Sequence, residues 1–137
     1  MKCHFLITVI IASSALATSA FAADAPQLPA SAKKLSGKEI ASLYDGATIK
    51  YENFTQAAPF TGTLTFDLTG NRELGTYSIG NSSGKFSGRV SVAGDQWCHQ
   101  EGSGAEDCAS IYIDSDTIYE VGEKGVVESR NQKQTQP

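Results

Sequence analysis

Apolar and polar residues alternate along most of the chain after Gly46, with the period of two that is typical of half-buried β-strands. The clearest example is residues 85–92, in which the even-numbered positions are apolar or glycine and the odd-numbered ones are Lys, Arg or Ser. Seven or eight such segments, spaced 8 to 12 residues apart, predict an antiparallel meander that forms a small barrel or a curled sheet. The predicted strands cover residues 47–54, 63–68, 74–79, 85–92, 96–100, 108–113, 117–121 and 126–130.

A short helix precedes the strands and is predicted over residues 37–45. Ser36 and Glu39 occupy the two positions of a capping box, in which each side chain accepts a hydrogen bond from the other's backbone amide. Gly46 suits the left-handed backbone conformation at which many helices end. The apolar residues that follow the cap at helical spacing are Ile40, Leu43 and Tyr44. This helix is expected to cover or plug the sheet.

The N-terminal residues have the three parts of an export signal: a basic start, an apolar stretch and a small-x-small site before Ala23. The apolar stretch is shorter than the roughly 20 residues that span a bilayer, so membrane insertion is not expected. We therefore expect a periplasmic or secreted protein. The predicted parts are a signal peptide (1–22), a flexible leader (23–34), a single β-rich domain (35–130) and a disordered tail (131–137).

Removal of the signal, which contains Cys3, leaves two cysteines, Cys98 and Cys108. An even pair in an exported chain predicts one disulfide. Nine residues lie between the two cysteines, which does not match a Cys-x-x-Cys redox motif, and two cysteines alone make a poor zinc site. We expect no metal here.

The mature chain is acidic. The signal carries one basic and no acidic residue, so its loss leaves 10 basic and 15 acidic residues and a net charge of −5. This charge disfavours binding to nucleic acids or to anionic membranes, because both are rich in phosphate. A basic protein or a cell-wall component is a compatible partner.

Residues that carry catalytic chemistry are few. His99 is the single histidine after the signal, so every Ser-His-Asp arrangement has to include it, and one histidine is inadequate for a zinc enzyme. No phosphate-binding or dinucleotide-binding glycine motif is present. We therefore expect a non-enzymatic protein without a cofactor. The candidate binding residues surround the disulfide loop: Trp97, His99, Glu101, Ser103, Glu106 and Asp107.

Several residues allow two interpretations. Trp97 is either a buried ring packed beside the disulfide or an exposed ring that stacks on a ligand, and His99 is either catalytic or an exposed side chain beside the loop. The glycines in strand context, Gly62, Gly75 and Gly88, indicate either strong strand curvature or close approach of a ligand.

Residues 97–121 read Trp-Cys, an acidic glycine-rich loop, a second Cys, Ile-Tyr and then Ile-Tyr-Glu-Val. Together with residues 35–40 and 45–49, they resemble a family of small exported bacterial proteins of unknown function. The resemblance implies a periplasmic or secreted β-rich domain and transfers no catalytic residue. Residues 103–105, Ser-Gly-Ala, are also similar to the inhibitory loop of small β-barrel inhibitors of lysozyme, although the Tyr and the Lys-rich context of that loop are missing here.

The sequence is compatible with two functions. The first is an envelope protein that binds a protein or cell-wall partner through disulfide-braced acidic loops, for example as an inhibitor of a basic enzyme such as lysozyme. The alternative is a carrier of a small molecule, with a cavity inside the curled sheet. The residues expected to line that cavity are Phe66, Tyr77, Phe86 and Val90.

Overall fold

Eight antiparallel strands close into a barrel in the computed structural model of the protein, which describes residues 25–55 and 60–134. The predicted signal peptide lies outside the described residues. The elements in chain order are β1 (Lys33–Lys34), α1 (Gly37–Tyr44), β2 (Thr48–Asn53), β3 (Phe60–Asp67), β4 (Arg72–Ile79), β5 (Ser82–Ala93), β6 (Gln96–Glu101), β7 (Asp107–Asp114), β8 (Thr117–Val121) and β9 (Val127–Lys133).

Each barrel strand pairs with the next strand in sequence from β2 to β9, so the topology is a simple meander. The barrel closes where β9 pairs back onto β2, from Ile49 opposite Lys133 to Asn53 opposite Ser129. Closure gives every barrel strand a hydrogen-bonded neighbour on both sides over at least part of its length, whereas residues 82–87 of β5 pair with β4 alone. The predicted β-meander is therefore confirmed, and it forms a closed barrel.

The C-terminal boundary predicted from sequence is wrong. Residues 131–133 were expected to begin a disordered tail because they are polar, but they form the end of β9. Asn131 faces the barrel interior and is 1% exposed, and it lies opposite Tyr51 in the closing ladder. Backbone pairing, which does not require apolar side chains, keeps this polar segment in the barrel.

The N-terminal boundary also shifts. The segment 23–34 was expected to be a flexible leader, but residues 33–34 form β1 and pair with Tyr112 and Ile113 of β7. Leu28 packs on an apolar patch on the outside of the barrel, formed mainly by the side chains of β8 and β9. Residues 33–34 therefore belong to the folded domain.

The helix begins at Gly37 as predicted and ends at Tyr44, one residue before the predicted end. Ser36 and Glu39 form the capping box, and Gly46 has a φ of 67° directly after the cap residue Asp45. The Gly37 amide donates a hydrogen bond to Asp95 Oδ1 in the β5–β6 turn, at 2.7 Å, which holds the start of the helix against one end of the barrel.

The helix closes this end of the barrel with an aromatic cluster. Tyr44 is fully buried and stacks on Trp97, with ring centroids 4.4 Å apart. Phe66 meets both rings edge to face, at 5.0 and 5.1 Å. This packing fills the end of the barrel nearest the helix with a solid core, and the open space lies at the other end. The buried core residues are Leu35, Ile40, Tyr44, Ala47, Ile49, Phe66, Val90, Trp97, Ile111 and Ile118.

The predicted disulfide is present. Cys98 and Cys108 lie opposite each other on β6 and β7, and their sulfur atoms are 2.06 Å apart. A disulfide of this kind indicates an oxidising setting outside the cytoplasm. Within the ranges 25–55 and 60–134, no helix combines the length and the apolar character needed to cross a bilayer.

Candidate functional site

A cavity of about 380 Å³ occupies the end of the barrel opposite the helix. Trp97 lies at its floor, above the solid core, and the exposed residues Thr55, Glu101 and Asp107 lie at its rim. The cavity exists because the helix fills only one end of the barrel. Its lining residues are Tyr51, Asn53, Thr55, Phe60, Leu64, Glu73, Tyr77, Ile79, Phe86, Trp97, His99, Glu101, Asp107, Glu120, Glu128, Ser129 and Asn131.

Part of the cavity wall is aromatic, and the strand glycines make room for it. A Cβ atom added at Gly75 would lie 2.7 Å from the tip of the Phe86 ring, and one added at Gly62 would lie 2.7 Å from the Tyr51 hydroxyl. The rings therefore lie across glycine backbones of the adjacent strands, an arrangement that a larger residue would block. The close approach at these glycines is made by the protein's own side chains, which were not considered at the level of sequence.

The most deeply buried ionisable group in the wall is Glu73 of β4. Its side chain is 4% exposed, and Oε1 has no hydrogen-bond partner. Gly88 on β5 lies directly opposite, and a Cβ there would approach Oε1 to 2.6 Å. Two further buried oxygens without a partner, Ser129 Oγ and Asn131 Oδ1, belong to the same lining. Buried polar atoms are normally paired, so three unpaired oxygens around one cavity make it the candidate functional site.

The acidic groups of the cavity influence one another. Burial raises the pKa of Glu73 to about 7, and the nearby Glu120 and Glu101 carboxylates add to this while His99 opposes it. Burial, together with the charges of Asp107 and Glu120, also raises the pKa of Glu128. These shifts are those expected where carboxyl groups share a poorly solvated space.

The negative charge of the cavity carboxylates also affects an aromatic residue, Tyr51. Burial raises the pKa of Tyr51 to about 12, and the Glu101 and Glu73 carboxylates contribute. The Tyr51 hydroxyl donates a hydrogen bond to the Thr76 carbonyl oxygen at 3.0 Å, so the ring is held in place against the wall.

His99 lies between two carboxylates. Its Nδ1 is 4.0 Å from Glu73 Oε1, and its Nε2 is 3.7 Å from Asp107 Oδ2. Both distances exceed that of a hydrogen bond, so the imidazole leaves the Glu73 oxygen unpaired. The side chain is half-buried and faces the cavity, whereas one interpretation of the sequence placed it on the surface beside the loop.

A hydrogen-bond network connects the cavity to the helix. Glu120 Oε1 accepts a hydrogen bond from the Tyr44 hydroxyl at 3.3 Å and another from Asn131 Nδ2 at 2.9 Å. These bonds determine the orientation of the Asn131 amide, because its nitrogen must face the carboxylate and its oxygen must therefore face away. The Asn131 oxygen is consequently fixed as an acceptor.

The structure divides the residues predicted from sequence into two groups. His99, Glu101 and Asp107 line the cavity, and Trp97 forms its floor as a buried ring that is 2% exposed. Trp97 is therefore packed rather than available for stacking from solvent. The remaining two candidate residues, Ser103 and Glu106, are exposed in the β6–β7 loop and do not line the cavity.

The cavity expected inside a curled sheet has partly different walls. Tyr77 and Phe86 line it as expected. Phe66 and Val90 instead lie below it in the closed core, beside Trp97 and the helix. The reason is that the helix plug fills the end of the barrel at which these two residues are located.

Most of the polar residues that line the cavity were not identified from the sequence. Glu73 precedes the predicted strand 74–79 by one residue, and its odd number gives it the same face as Tyr77 and Ile79. That parity was a usable signal for an inward-facing acid. The missed polar lining residues are Asn53, Thr55, Glu73, Glu120, Glu128, Ser129 and Asn131.

One cluster contains residue types that often bind metal ions, but its cysteines are not available as ligands. Cys98, Cys108 and Glu106 bring their potential ligand atoms within 4.8 Å of one another. The two sulfur atoms are bonded to each other in the disulfide, so they offer no thiolate to a cation.

Comparisons of the chain with protein-family models, with curated proteins and with solved structures find no match. The function of this protein is therefore inferred from the cavity itself. Its main features are a preformed volume, an aromatic wall, a group of carboxylates around one histidine, and three buried oxygens without partners.

Proposed function

We propose that this protein binds a small molecule in its barrel cavity and acts as a carrier or binding protein outside the cytoplasm. The observation that supports this most is the set of three buried, unpaired oxygens around a preformed cavity. The volume of about 380 Å³ lies within the range of roughly 300–1,000 Å³ that is usual for small-molecule sites.

The energetics favour an occupied site. A buried polar atom that lacks a partner costs about 1–3 kcal/mol, so a hydrogen-bond donor that reaches Glu73, Ser129 or Asn131 stabilises the barrel. A ligand that supplies hydrogen-bond donors recovers part of this free energy on binding. The aromatic side chains supply apolar contact area for the rest of the ligand.

The location in the cell is part of the proposal. The export signal expected from residues 1–22 and the disulfide both support a periplasmic or secreted protein. A binding protein in that setting meets its ligand from the surroundings of the cell, which suits an open cavity rim.

Native mass spectrometry of the mature protein, purified from its exported form, tests the proposal. We expect a non-covalent adduct that disappears under denaturing conditions. Ile79→Trp, a substitution in the cavity lining of β4, should abolish the adduct by filling the space. Leu74→Trp on the same strand is the matched control, because Leu74 is 50% exposed and lies outside the cavity.

The comparison of the two variants is decisive if both give the circular dichroism spectrum of the wild-type protein. An adduct that survives Ile79→Trp is bound elsewhere, and the complete lack of an adduct in the wild-type protein contradicts the proposal.

A second candidate function is binding of a basic protein by the β6–β7 loop. Residues 101–107 are all exposed, and the disulfide braces the base of this loop. This arrangement supports inhibition of a basic enzyme such as lysozyme, with association that weakens as salt is added. Glu106→Gln should then reduce inhibition of a basic lysozyme more than Glu123→Gln in another exposed turn. Lysozyme activity that is unaffected by the wild-type protein removes this candidate.

A further inference from the structure

The charged side chains that line the cavity are predominantly acidic. Among the described residues that line it there are five carboxylic acids and no Lys or Arg. His99 is the single basic side chain there, and it already lies near two of the acids. A ligand in this space experiences a negative field. The acidic residues are Glu73, Glu101, Asp107, Glu120 and Glu128.

The hydrogen-bonding capacity of the cavity has the same bias. Glu73 Oε1 and Asn131 Oδ1 are both buried acceptors without donors, and the network around Glu120 prevents the Asn131 amide from presenting its nitrogen instead. The third unpaired atom, Ser129 Oγ, is a hydroxyl that also accepts hydrogen bonds. A matching ligand therefore carries several N–H or O–H donors.

The remaining lining determines the rest of the ligand. Aromatic rings of Tyr51, Phe60, Tyr77 and Phe86 provide faces that pack against apolar groups and attract cations. A bare metal ion or a highly hydrated ion would leave this surface unused. A ligand with both a cationic head and an apolar body uses both parts of the wall.

We infer that the cavity selects a small organic cation, an amine or guanidinium joined to an apolar group, whose N–H groups bind Glu73 and Asn131. This inference rests on the proposed binding function and adds the charge and polarity of the ligand. Glu73 is the anchor of the site, because it is the most deeply buried of the five acids.

Isothermal titration calorimetry at about pH 8 tests this with three probes of similar shape: 2-phenylethylamine, 2-phenylethanol and phenylacetate. At that pH the amine is protonated and the carboxylate is ionised. We expect the amine to bind at least about tenfold more tightly than the alcohol, since only the ammonium is also attracted by the negative charge of the carboxylates. Phenylacetate should not bind.

Glu73→Gln removes the anchor charge while keeping the shape of the side chain. It should weaken binding of the amine at least about tenfold and weaken binding of the alcohol by a clearly smaller factor, because only the amine loses a charge–charge attraction. Glu123→Gln, which removes the same charge from an exposed turn, should change neither. The salt dependence of binding provides a further test that needs only the wild-type protein. The affinity for the amine should fall as sodium chloride is added, whereas the affinity for the alcohol should not.

Three results would overturn the assignment: alcohol or phenylacetate binding as tightly as the amine, no binding of any probe, or amine binding that is unaffected by Glu73→Gln. In each case, an adduct in native mass spectrometry that is lost in Ile79→Trp still supports the proposed binding function. Failure of the function itself is recognised separately, by the lack of that adduct.

Discussion

Glu73 combines deep burial with an unsatisfied oxygen, and its surroundings explain why such a residue is tolerated. Gly88 leaves space for the carboxyl group, and His99 approaches it without forming a hydrogen bond. Burial raises the pKa of Glu73 to about 7, so the group is largely protonated below that pH. A protonated carboxyl is far less costly to bury than a carboxylate.

The raised pKa predicts how stability depends on pH. Because Glu73 binds its proton more tightly in the folded state, its contribution to stability is fully present below about pH 4.5 and is lost as pH rises through about 7. Glu73→Gln should therefore be more stable than the wild-type protein at pH 8, by up to about 3 kcal/mol. The charged groups that face Glu73 are Glu101 and His99 of β6 and Glu120 of β8, with Asp107 and Glu128 farther along the wall.

Urea unfolding of both proteins at pH 4.5 and pH 8 measures this effect. Glu123→Gln serves as the control, because it removes a carboxylate from an exposed turn. If wild-type and Glu73→Gln proteins lose stability in parallel between the two pH values, Glu73 does not carry the raised pKa.

At the level of elements, the strands depend on glycine where aromatic rings and neighbouring backbones approach closely. Gly62 of β3 lies opposite Tyr77 of β4, and a Cβ at this position would overlap the Thr76 carbonyl oxygen. That oxygen also accepts the hydrogen bond of the Tyr51 hydroxyl. One small residue thus allows β3 and β4 to pair while a ring from β2 crosses them.

Gly62→Ala should destabilise the protein by at least about 2 kcal/mol, because the overlap is with backbone rather than with a movable side chain. Thr61→Ala is the matched control: Thr61 is exposed on the same strand, and its loss should cost about 1 kcal/mol or less. Thermal unfolding followed by circular dichroism compares the two. Equal midpoints for both variants would show that β3 and β4 move apart without penalty.

For the whole molecule, barrel closure depends on the polar end of the chain. Residues 129–133 of β9 form the ladder with β2, and the Gln134 amide donates a further hydrogen bond to the Thr48 carbonyl oxygen at 2.8 Å. Without residues 129–133, β2 and β8 would become open edges, and the cavity would lose Asn131 from its wall.

A chain that ends at Arg130 should therefore lose cooperative unfolding or be strongly destabilised, because it lacks three residues of the closing strand. A chain that ends at Gln134 retains the whole ladder and should unfold like the full-length mature protein. Denaturant unfolding of the two truncated proteins distinguishes these cases. A cooperative, equally stable protein ending at Arg130 would show that the barrel closes without residues 131–133.

Most of the fold could be predicted from the chain because its signals are local. The period-two alternation gave the strand positions to within a few residues, and the capping box with Gly46 gave the helix. One error was residues 80–84, which their composition favours as a loop, whereas residues 82–84 belong to β5 and only Gly80 and Asn81 form the turn. Pairing with β4 determined that boundary, and composition does not report it.

The sequence by itself determined the strand order, the helix and the disulfide, because alternation, capping and cysteine count act over a few residues each. Only the tertiary structure decided that the sheet closes, that the helix fills one end and that the other end stays open. Burial of Glu73 and Asn131 followed from these decisions. Whether an inward-facing polar residue lies in a packed core or in a cavity depends on the side chains that surround it. Those side chains come from strands distant in sequence, and the local pattern carries no information about them.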